Sequence, residues 1–151
     1  MSSRYGLEIR SATESDAPGL CDLLRSAGIR VDAADLAERL AALRRGPGAA
    51  FIASEWGPPS GVVALHWHQT LGDARPVAQV STLLVAEDSR RRGVARLLLK
   101  TASQAARSKD CGTLQLLAGP AQADLAAFCA ATGFSNDGAL FARALRKRGA
   151  D

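Results

Sequence analysis

The segment with the most distinctive chemistry is residues 90–95, which read Arg-Arg-Arg-Gly-Val-Ala. It follows a branched apolar stretch at residues 80–85 and precedes a helical pattern of apolar residues that starts at Val94. The first N–H groups of a helix have no partner within the helix, and they lie at the positive end of its dipole. Gly93 and Ala95 leave room for an anion to reach these amides, and the arginines attract it. The segment therefore predicts a site for a diphosphate group.

Two widespread phosphate-binding motifs do not fit this segment. No Gly-Lys-Ser/Thr follows the glycine, and the dinucleotide pattern Gly-x-Gly-x-x-Gly is missing. Because so short a string also occurs in ordinary surface loops, the alternative is a solvated basic loop that ends in a tight turn. The strand before it and the amphipathic helix after it favour the anion site.

The elements that would position this loop follow from apolar periodicity and turn residues. The predicted order is strand, two helices, three strands, helix, strand, helix and strand. The predicted spans are residues 7–10, 17–27, 33–43, 50–54, 62–68, 77–85, 94–105, 113–118, 123–131 and 139–145. The strand–helix–strand unit at 77–118 implies a parallel pair, and the hairpin at 50–68 implies antiparallel pairs. The prediction is an α/β (or α+β) fold with a mixed sheet and helices on both faces.

Composition is that of a globular protein. Of 151 residues, 47% are hydrophobic and 23% are charged, which suits one domain spanning residues 1–151. The apolar runs are too short to cross a bilayer, so no membrane partner is expected. Three separated cysteines without a Cys-x-x-Cys pair, together with a polar start that carries no secretion signal, favour a cytoplasmic location.

The positive charge of the chain raises the question of a nucleic-acid partner. The net charge is +4, and a basic tail contributes to it. Aromatic residues make up only 5% of the chain and are missing from the basic stretches, which disfavours stacking on bases. A local phosphate site accounts for the same charge, so nucleic acid is not the expected partner.

Two separated motifs resemble one enzyme family. Residues 90–95 are similar to the pattern Arg/Gln-x-x-Gly-x-Gly/Ala of the GCN5-related N-acetyltransferases (the GNAT family), and Leu84-Val85 matches its hydrophobic-Val lead-in. Residues 126–134, Ala-Ala-Phe-Cys-Ala-Ala-Thr-Gly-Phe, resemble the family's Phe-Tyr-x-x-x-Gly-Phe segment. The predicted order of elements also resembles that of the family, over nearly the whole chain.

The resemblance implies a mixed, mostly antiparallel sheet of six to seven strands with about four helices. In it the strand at 77–85 splays away from its parallel neighbour at 113–118. The implied activity is transfer of an acetyl group from acetyl-CoA directly to a primary amine of a small molecule or peptide, without a metal. A homodimer that uses residues 139–145 as a pairing edge is an implied assembly. The implied CoA-binding residues are Leu83, Leu84, Val85, Arg90, Arg91, Arg92, Gly93, Val94, Ala95, Arg96, Gln122 and Phe128.

Some positions depart from the family pattern. Cys129 stands where the family often has a tyrosine that protonates the leaving thiolate, and Gln122 stands for a cofactor-contacting asparagine. A thiol with a pKa of about 8.5 can donate a proton, whereas the alternative is an inert helix cysteine. Gln79 stands for a glutamate that serves as base, and an amide does not accept a proton usefully.

His66 and His68 are the leading candidates for the missing base, and Glu87 and Asp73, both in predicted loops, are weaker ones. The two histidines flank Trp67 and share one face of their strand, because side chains alternate along it. A neutral imidazole near the acceptor amine can take its proton directly or through water, whereas the alternative is two surface histidines. The loss of the tyrosine and the glutamate also leaves a second hypothesis, a non-catalytic acyl-CoA-binding regulatory module of the same fold.

Overall fold

A computed structural model of the chain describes residues 3–4, 6–90, 93–118 and 122–146. Backbone contacts divide the chain into two compact units, residues 1–116 and residues 117–151. The prediction of a single domain over residues 1–151 stays a prediction. The first unit contains the sheet and the basic loop, and the second contains the segment that resembles the downstream family motif.

The first unit is built on a mixed sheet whose strands lie side by side in chain order. The strands are β1 (Ser3–Arg4), β2 (Leu7–Ser11), β3 (Gly48–Ser54), β4 (Pro59–His68), β5 (Val77–Val85) and β6 (Thr113–Leu116). Neighbours are antiparallel except β5 and β6, which are parallel. The predicted α/β class, the hairpin and the parallel pair are confirmed.

Among the described residues, five strands are four residues or longer, fewer than the predicted six to seven, and β1 adds a pair of only two residues. The expected last strand at residues 139–145 is wrong, since this described segment lies in no strand. Its large side chains Leu140, Phe141 and Leu145 are all exposed. Apolar character alone does not make a strand, because the backbone N–H and C=O groups must also find a paired neighbour.

The helices agree with the apolar periodicity to within a few residues. They are α1 (Ala17–Ser26), α2 (Ala33–Arg45), α3 (Val94–Ser108) and α4 (Ala123–Ala131). Local signals set their ends, as at the end of α1, where Gly28 adopts a left-handed φ of 81°. The four predicted helices are therefore confirmed.

The turn before α1 is fixed by a network around one carboxylate. Asp16 accepts two hydrogen bonds from the Arg10 guanidinium, at 2.9 and 2.7 Å, and one from the Thr13 backbone N–H at 2.8 Å. The bond from Arg10 holds the pKa of Asp16 below its ordinary value. Because Arg10 belongs to β2, the network ties the start of α1 to the sheet.

α1 and α2 cover one face of the sheet. Leu20 and Leu40 of these helices are buried in one cluster with Ile52 of β3 and Val62 of β4, and Leu84 of β5 packs against the cluster. Because side chains alternate along a strand, the even-numbered residues of β4 from Val62 onward point toward this helical layer. Burial of this apolar surface is the main driving force for the layer.

α3 covers the opposite face. Gly61 of β4 lies so close to α3 that a Cβ there would be 2.9 Å from Leu98 Cδ1 and 3.1 Å from Val94 Cγ1. Leu98 is fully buried, as is Leu65 of β4. The glycine lets the first turn of α3 pack closely on the sheet, so it helps to set the position of the basic loop.

The second unit contains α4 and the segment that follows it. None of the α4 residues is buried, although eight of its nine residues are apolar. The helix ends as predicted at Gly133, which has a φ of 92°. Thr132 Oγ1 donates a hydrogen bond to the Phe128 carbonyl at 2.8 Å, and the Phe134 N–H donates to the Cys129 carbonyl at 3.0 Å.

Candidate active site

The two halves of β5 have different neighbours. β5 pairs with β4 along its length, but its ladder with β6 runs only from Val77↔Thr113 to Val80↔Leu116. In the part of the chain that the structure describes, residues 81–85 have no strand on the β6 side. We call the point after the Val80↔Leu116 pair, where the two parallel strands part, the fork. Beyond the fork, residues 81–85 of β5 form a strand edge that pairs with no described strand on the β6 side, and this free edge offers backbone N–H and C=O groups.

A β-bulge lies at the fork. Val80 is opposite Leu65 and Thr82 is opposite Ala64, so Ser81 is an extra residue without a partner on β4. A bulge bends its strand and increases the local twist. The bend comes directly after the last residue that pairs with β6, so it lies where β5 and β6 stop pairing.

The basic loop continues from the free end of β5. The Ala86 N–H donates to the Ser60 carbonyl at 2.7 Å, and residues 87–89 form a 3-10 turn that contains the buried Ser89. Arg90 is exposed, and its Nε lies 3.4 Å from the Val85 carbonyl oxygen, to which it donates. The predicted Arg91 and Arg92 lie outside the described residues. Arg90 therefore connects the loop to the strand end from the solvent side.

The start of α3 meets the requirements of an anion site. Gly93 has a φ of 79°, and a Cβ placed on it would meet none of the described residues within 4 Å, its chain neighbours aside. The first intrahelical bond runs from the Leu97 N–H to the Gly93 carbonyl at 3.1 Å. The N–H groups of residues 94–96 precede that bond. Gly93 has no side chain with which to cap them, no capping bond is made by a described side chain, and no acidic residue lies in the first turn. These amides and the helix dipole can hold an anion against the open space beside Gly93.

The free edge and the uncapped helix follow each other along the chain, so one elongated ligand can use both. The edge offers hydrogen bonds to an extended arm, and the helix start offers charge and N–H groups to a phosphate. The structure brings together these described residues of the predicted cofactor set: Leu83, Leu84, Val85, Arg90, Gly93, Val94, Ala95 and Arg96.

Comparison with known proteins identifies the fold. A family model described as the acetyltransferase (GNAT) family matches residues 18–134. The chain belongs to the GNAT acetyltransferase family. The resemblance predicted from residues 90–95 and 126–134 is therefore confirmed. No curated protein sequence matches the chain significantly.

Solved structures share the GNAT fold over most of this chain. A protein provisionally assigned as an acetyltransferase from Agrobacterium tumefaciens str. C58 has 25% identity and a TM-score of 0.79, covering 91% of this chain and 99% of its own. A ribosomal-protein-alanine N-acetyltransferase from Brucella melitensis biovar Abortus 2308 has 22% identity and a TM-score of 0.78, covering 92% and 99%. An aminoglycoside acetyltransferase from an uncultured soil metagenomic sample has 17% identity and a TM-score of 0.78, covering 93% and 97%.

The two histidines of this GNAT domain occupy different positions relative to the fork. His66 lies opposite Gln79, next to the last paired positions of β5, whereas His68 lies opposite Val77 at the start of β5 and is exposed. The two rings stack with their centroids 5.7 Å apart. Gln79 Nε2 donates to Gln115 Oε1 of β6 at 3.1 Å. His66 is thus the histidine closer to the fork.

The remaining predicted residues lie in the second unit. Gln122 precedes α4, and Phe128 and Cys129 lie within it, both partly buried. Burial raises the pKa of the Cys129 thiol, which keeps it protonated at neutral pH. A protonated thiol is the form that a proton donor requires, so the role predicted for Cys129 stays a prediction.

Sequence reasoning did not find Ser81 and Gln115. The bulge at Ser81 depends on how β5 pairs with β4, and no local pattern of residue types encodes it. The sequence predicts Gln115 only as part of a strand, and its hydrogen bond to Gln79 depends on the register of the parallel pair. The one signal that the sequence offers for both is that they are polar residues within predicted strands.

Among the helices described, none combines the length and the apolar character that crossing a bilayer requires. Within the described residues, no group of three or more His, Cys, Asp or Glu side chains is arranged to hold a metal ion.

Proposed function

We propose that this GNAT domain is an N-acetyltransferase that binds acetyl-CoA and transfers its acetyl group directly to a primary amine of a small molecule or peptide. The observation that carries the proposal is the junction of the free half of β5 with the uncapped start of α3 at Gly93. Family membership supports an acyltransferase, and the junction supports a thioester whose carrier has a diphosphate and a long polar arm.

The diphosphate is proposed to bind at the start of α3. The N–H groups of Val94, Ala95 and Arg96 would donate to its oxygens, and the open space at Gly93 would admit it. Arg90, exposed at the loop, would add charge-assisted hydrogen bonds, as would Arg91 and Arg92 on sequence grounds.

The pantetheine arm is proposed to run along β5 from Val85 toward the fork. Its amides would pair with the backbone near Leu83 and Val85, as an added strand pairs with a free sheet edge. A backbone N–H near Leu83 or Leu84 would then polarise the thioester carbonyl. Gln122 and Phe128 complete the proposed cofactor set on the basis of the family pattern.

The transfer needs an amine held within attacking distance of the thioester carbonyl carbon, on one face of the carbonyl group. Holding the two reactants in this geometry supplies a large share of the rate, because the step becomes effectively unimolecular. The aminoglycoside and ribosomal-protein-alanine acetyltransferases of similar fold are named for amine-bearing acceptors, one a small molecule and one a protein. We therefore propose a primary amine without specifying its carrier.

Calorimetric titration with CoA and acetyl-CoA tests the cofactor site, with Gly93→Asp and Gly93→Asn as the paired variants. Both side chains tolerate the left-handed conformation and have the same size, so they differ in charge. We expect Gly93→Asp to weaken CoA binding at least about 100-fold by repelling the diphosphate, and Gly93→Asn to weaken it about tenfold or less. Equal affinities in wild type and Gly93→Asp would contradict the site.

Turnover of acetyl-CoA against a panel of primary amines, read as release of CoA thiol, tests the activity. The panel should include aminoglycosides, polyamines and peptides with free amino termini. We expect amine-dependent release that is lost in Gly93→Asp. Tight binding without release for every amine would favour the second candidate, a non-catalytic acyl-CoA-binding module, which is supported by the uncharged Gln79 and by Cys129 in place of a tyrosine.

A further inference from the structure

The four strands β3 to β6, which include those that form the fork, contain very few groups that can exchange a proton. Strands β3, β4, β5 and β6 contain no Asp, Glu, Lys, Arg, Cys or Tyr, and their titratable side chains are His66 and His68 alone. If the sheet supplies a proton acceptor near the fork, it is therefore one of these two imidazoles.

A polar row leads from one of the histidines to the fork. His66 on β4 lies opposite Gln79 on β5, and Gln79 Nε2 donates to Gln115 Oε1 on β6 at 3.1 Å. The row consists of one residue from each of β4, β5 and β6. It lies one residue before the Val80↔Leu116 pair, which is the last pair between β5 and β6. Gln79 is partly buried and Gln115 is exposed, so solvent reaches this row.

The other face of the sheet is closed at the same level. Ala78 and Val80 have relative exposures of 0% and 1%. Trp67, opposite Ala78, lies beneath Lys109 at the end of α3, with Nζ 5.8 Å from the ring centroid. α1 and α2 cover the face that carries His66 over β3 and the start of β4, but Gln115 is exposed beside the fork, so an amine from solvent can reach the fork on this face.

We infer that His66 takes the proton that the acceptor amine must lose before it attacks the thioester, an inference that rests on the proposed function. The ammonium form gives one proton through water to an imidazole nitrogen of His66. The amine lone pair then forms the C–N bond, and the C–S bond breaks with its electrons on sulfur. The second proton leaves nitrogen as the amide forms and neutralises the thiolate, and the imidazolium returns its proton to solvent.

The separation requires water as the carrier. Two strand spacings, about 10 Å, separate β4 from β6, which a chain of about three hydrogen-bonded waters can bridge. His66 is therefore a relay group and does not touch the reacting atoms. His68 is three register positions before the fork, opposite Val77, and is exposed to bulk solvent.

The charged groups on the sheet face that His66 shares belong to the helical layer of α1 and α2. Gly48 of β3 lies opposite His66 and contacts Leu43 of α2, whose last turn carries Arg44 and Arg45. Arg44 pairs with Glu14 at 3.3 Å. The charged residues of α2 are all exposed: Asp35, Glu38, Arg39, Arg44 and Arg45. On β4 itself the neighbouring titratable group is His68.

The kinetic test compares His66→Gln with His68→Gln across pH, using acetyl-CoA and an amine found active in the turnover panel. We expect His66→Gln to lower kcat/KM for the amine about 100-fold at neutral pH, with the loss shrinking as pH approaches the pKa of the amine itself. The affinity for CoA should not change, and His68→Gln should keep the wild-type profile. A wild-type pH profile in His66→Gln, or an equal loss in His68→Gln, would overturn the inference.

A second test uses CoA alone and needs no acceptor. The chain has two histidines, so its imidazole C2-proton NMR signals are assigned by the same two variants. We expect saturating CoA to shift the signal of His66 more than that of His68. An unmoved His66 signal with CoA bound by calorimetry would overturn the inference and leave the proposed function standing. If CoA does not bind, the proposed function fails and this inference fails with it.

Discussion

The first four and the last five residues of β5 have similar apolar composition but opposite surroundings. The first half is paired on both sides, and Val77, Ala78 and Val80 are buried. In the second half only Leu83 is buried, and the described part of the chain places no strand on its β6 side. The comparison teaches that composition makes the strand, whereas the bulge and the length of β6 decide which half stabilises the fold and which half offers a binding edge.

The paired half should respond to mutation mainly through stability. Leu65 of β4, opposite Val80 of β5, is fully buried, so Leu65→Ala leaves a cavity in the core. We expect the free energy of unfolding to fall by about 2–5 kcal/mol, measured by urea denaturation. Leu71→Ala is the matched control, because Leu71 lies exposed in a loop, and it should change stability by less than about 0.5 kcal/mol. A similar loss in both variants would contradict the comparison.

The free half should respond mainly through ligand affinity. Deleting Ser81 removes the bulge and leaves Val80 and Thr82 opposite their present partners on β4. Because the strand then straightens, we expect CoA affinity to fall about 100-fold, or about 2.7 kcal/mol, while the domain stays folded. Ser81→Ala keeps the extra backbone residue and should bind CoA normally. Unchanged affinity after the deletion would show that the bulge does not form the site.

One substitution, Gly61→Ala, should lower both the stability of the domain and its affinity for CoA. Gly61→Ala places a Cβ 2.9 Å from Leu98 Cδ1 and 3.2 Å from the Leu84 carbonyl oxygen. We expect a loss of about 1–3 kcal/mol in stability from overpacking and weaker CoA binding, because the first turn of α3 is displaced. Gly72→Ala is the control, since a Cβ there meets nothing within 4 Å. A normal CoA affinity in a destabilised Gly61→Ala variant would contradict the proposed effect of this packing contact on the binding site.

A change far from the fork should alter stability alone. Asp16→Asn removes the charge that Arg10 and the Thr13 N–H bind, and we expect a loss of about 1.5 kcal/mol at neutral pH. Because its folded pKa is lowered, Asp16 stabilises the fold above the unfolded value of about 3.9 and loses this effect as pH falls below it. Denaturation of both proteins from neutral pH down to about pH 3 should show the difference closing. A constant difference, or weaker CoA binding, would contradict this account.

Much of the fold could be read from the sequence because its signals are local. The capping residues before α1, Gly28 after it and the glycine at the start of α3 act within one helical turn, and the predicted helices follow them. The bulge at Ser81 and the early end of β6 are properties of strand pairing, so no local signal encoded them. The false strand at residues 139–145 has the same cause, since the sequence does not show which segments find a partner.

The candidate site likewise has a part that local sequence signals predict and a part that depends on strand pairing. The anion loop was predicted because each of its requirements is local: a basic loop, a glycine and a helix start. The different positions of His66 and His68 could not be predicted, since alternation assigns them the same face and only the register of β4 against β5 separates them. Roles for Gln122, Phe128 and Cys129 still depend on the family pattern.

The open start of α3 has a consequence for work with this protein in solution. A capping side chain stabilises a helix N-terminus by about 1 kcal/mol relative to alanine and by a few tenths relative to glycine, and Gly93 has no side chain to supply. Inorganic phosphate and sulfate are small enough to enter the same space, and as oxyanions they can accept hydrogen bonds from the first N–H groups of α3. Buffers that contain them should therefore raise the melting temperature and weaken the apparent affinity for a diphosphate ligand, so that the choice of buffer salt becomes a variable of the measurement.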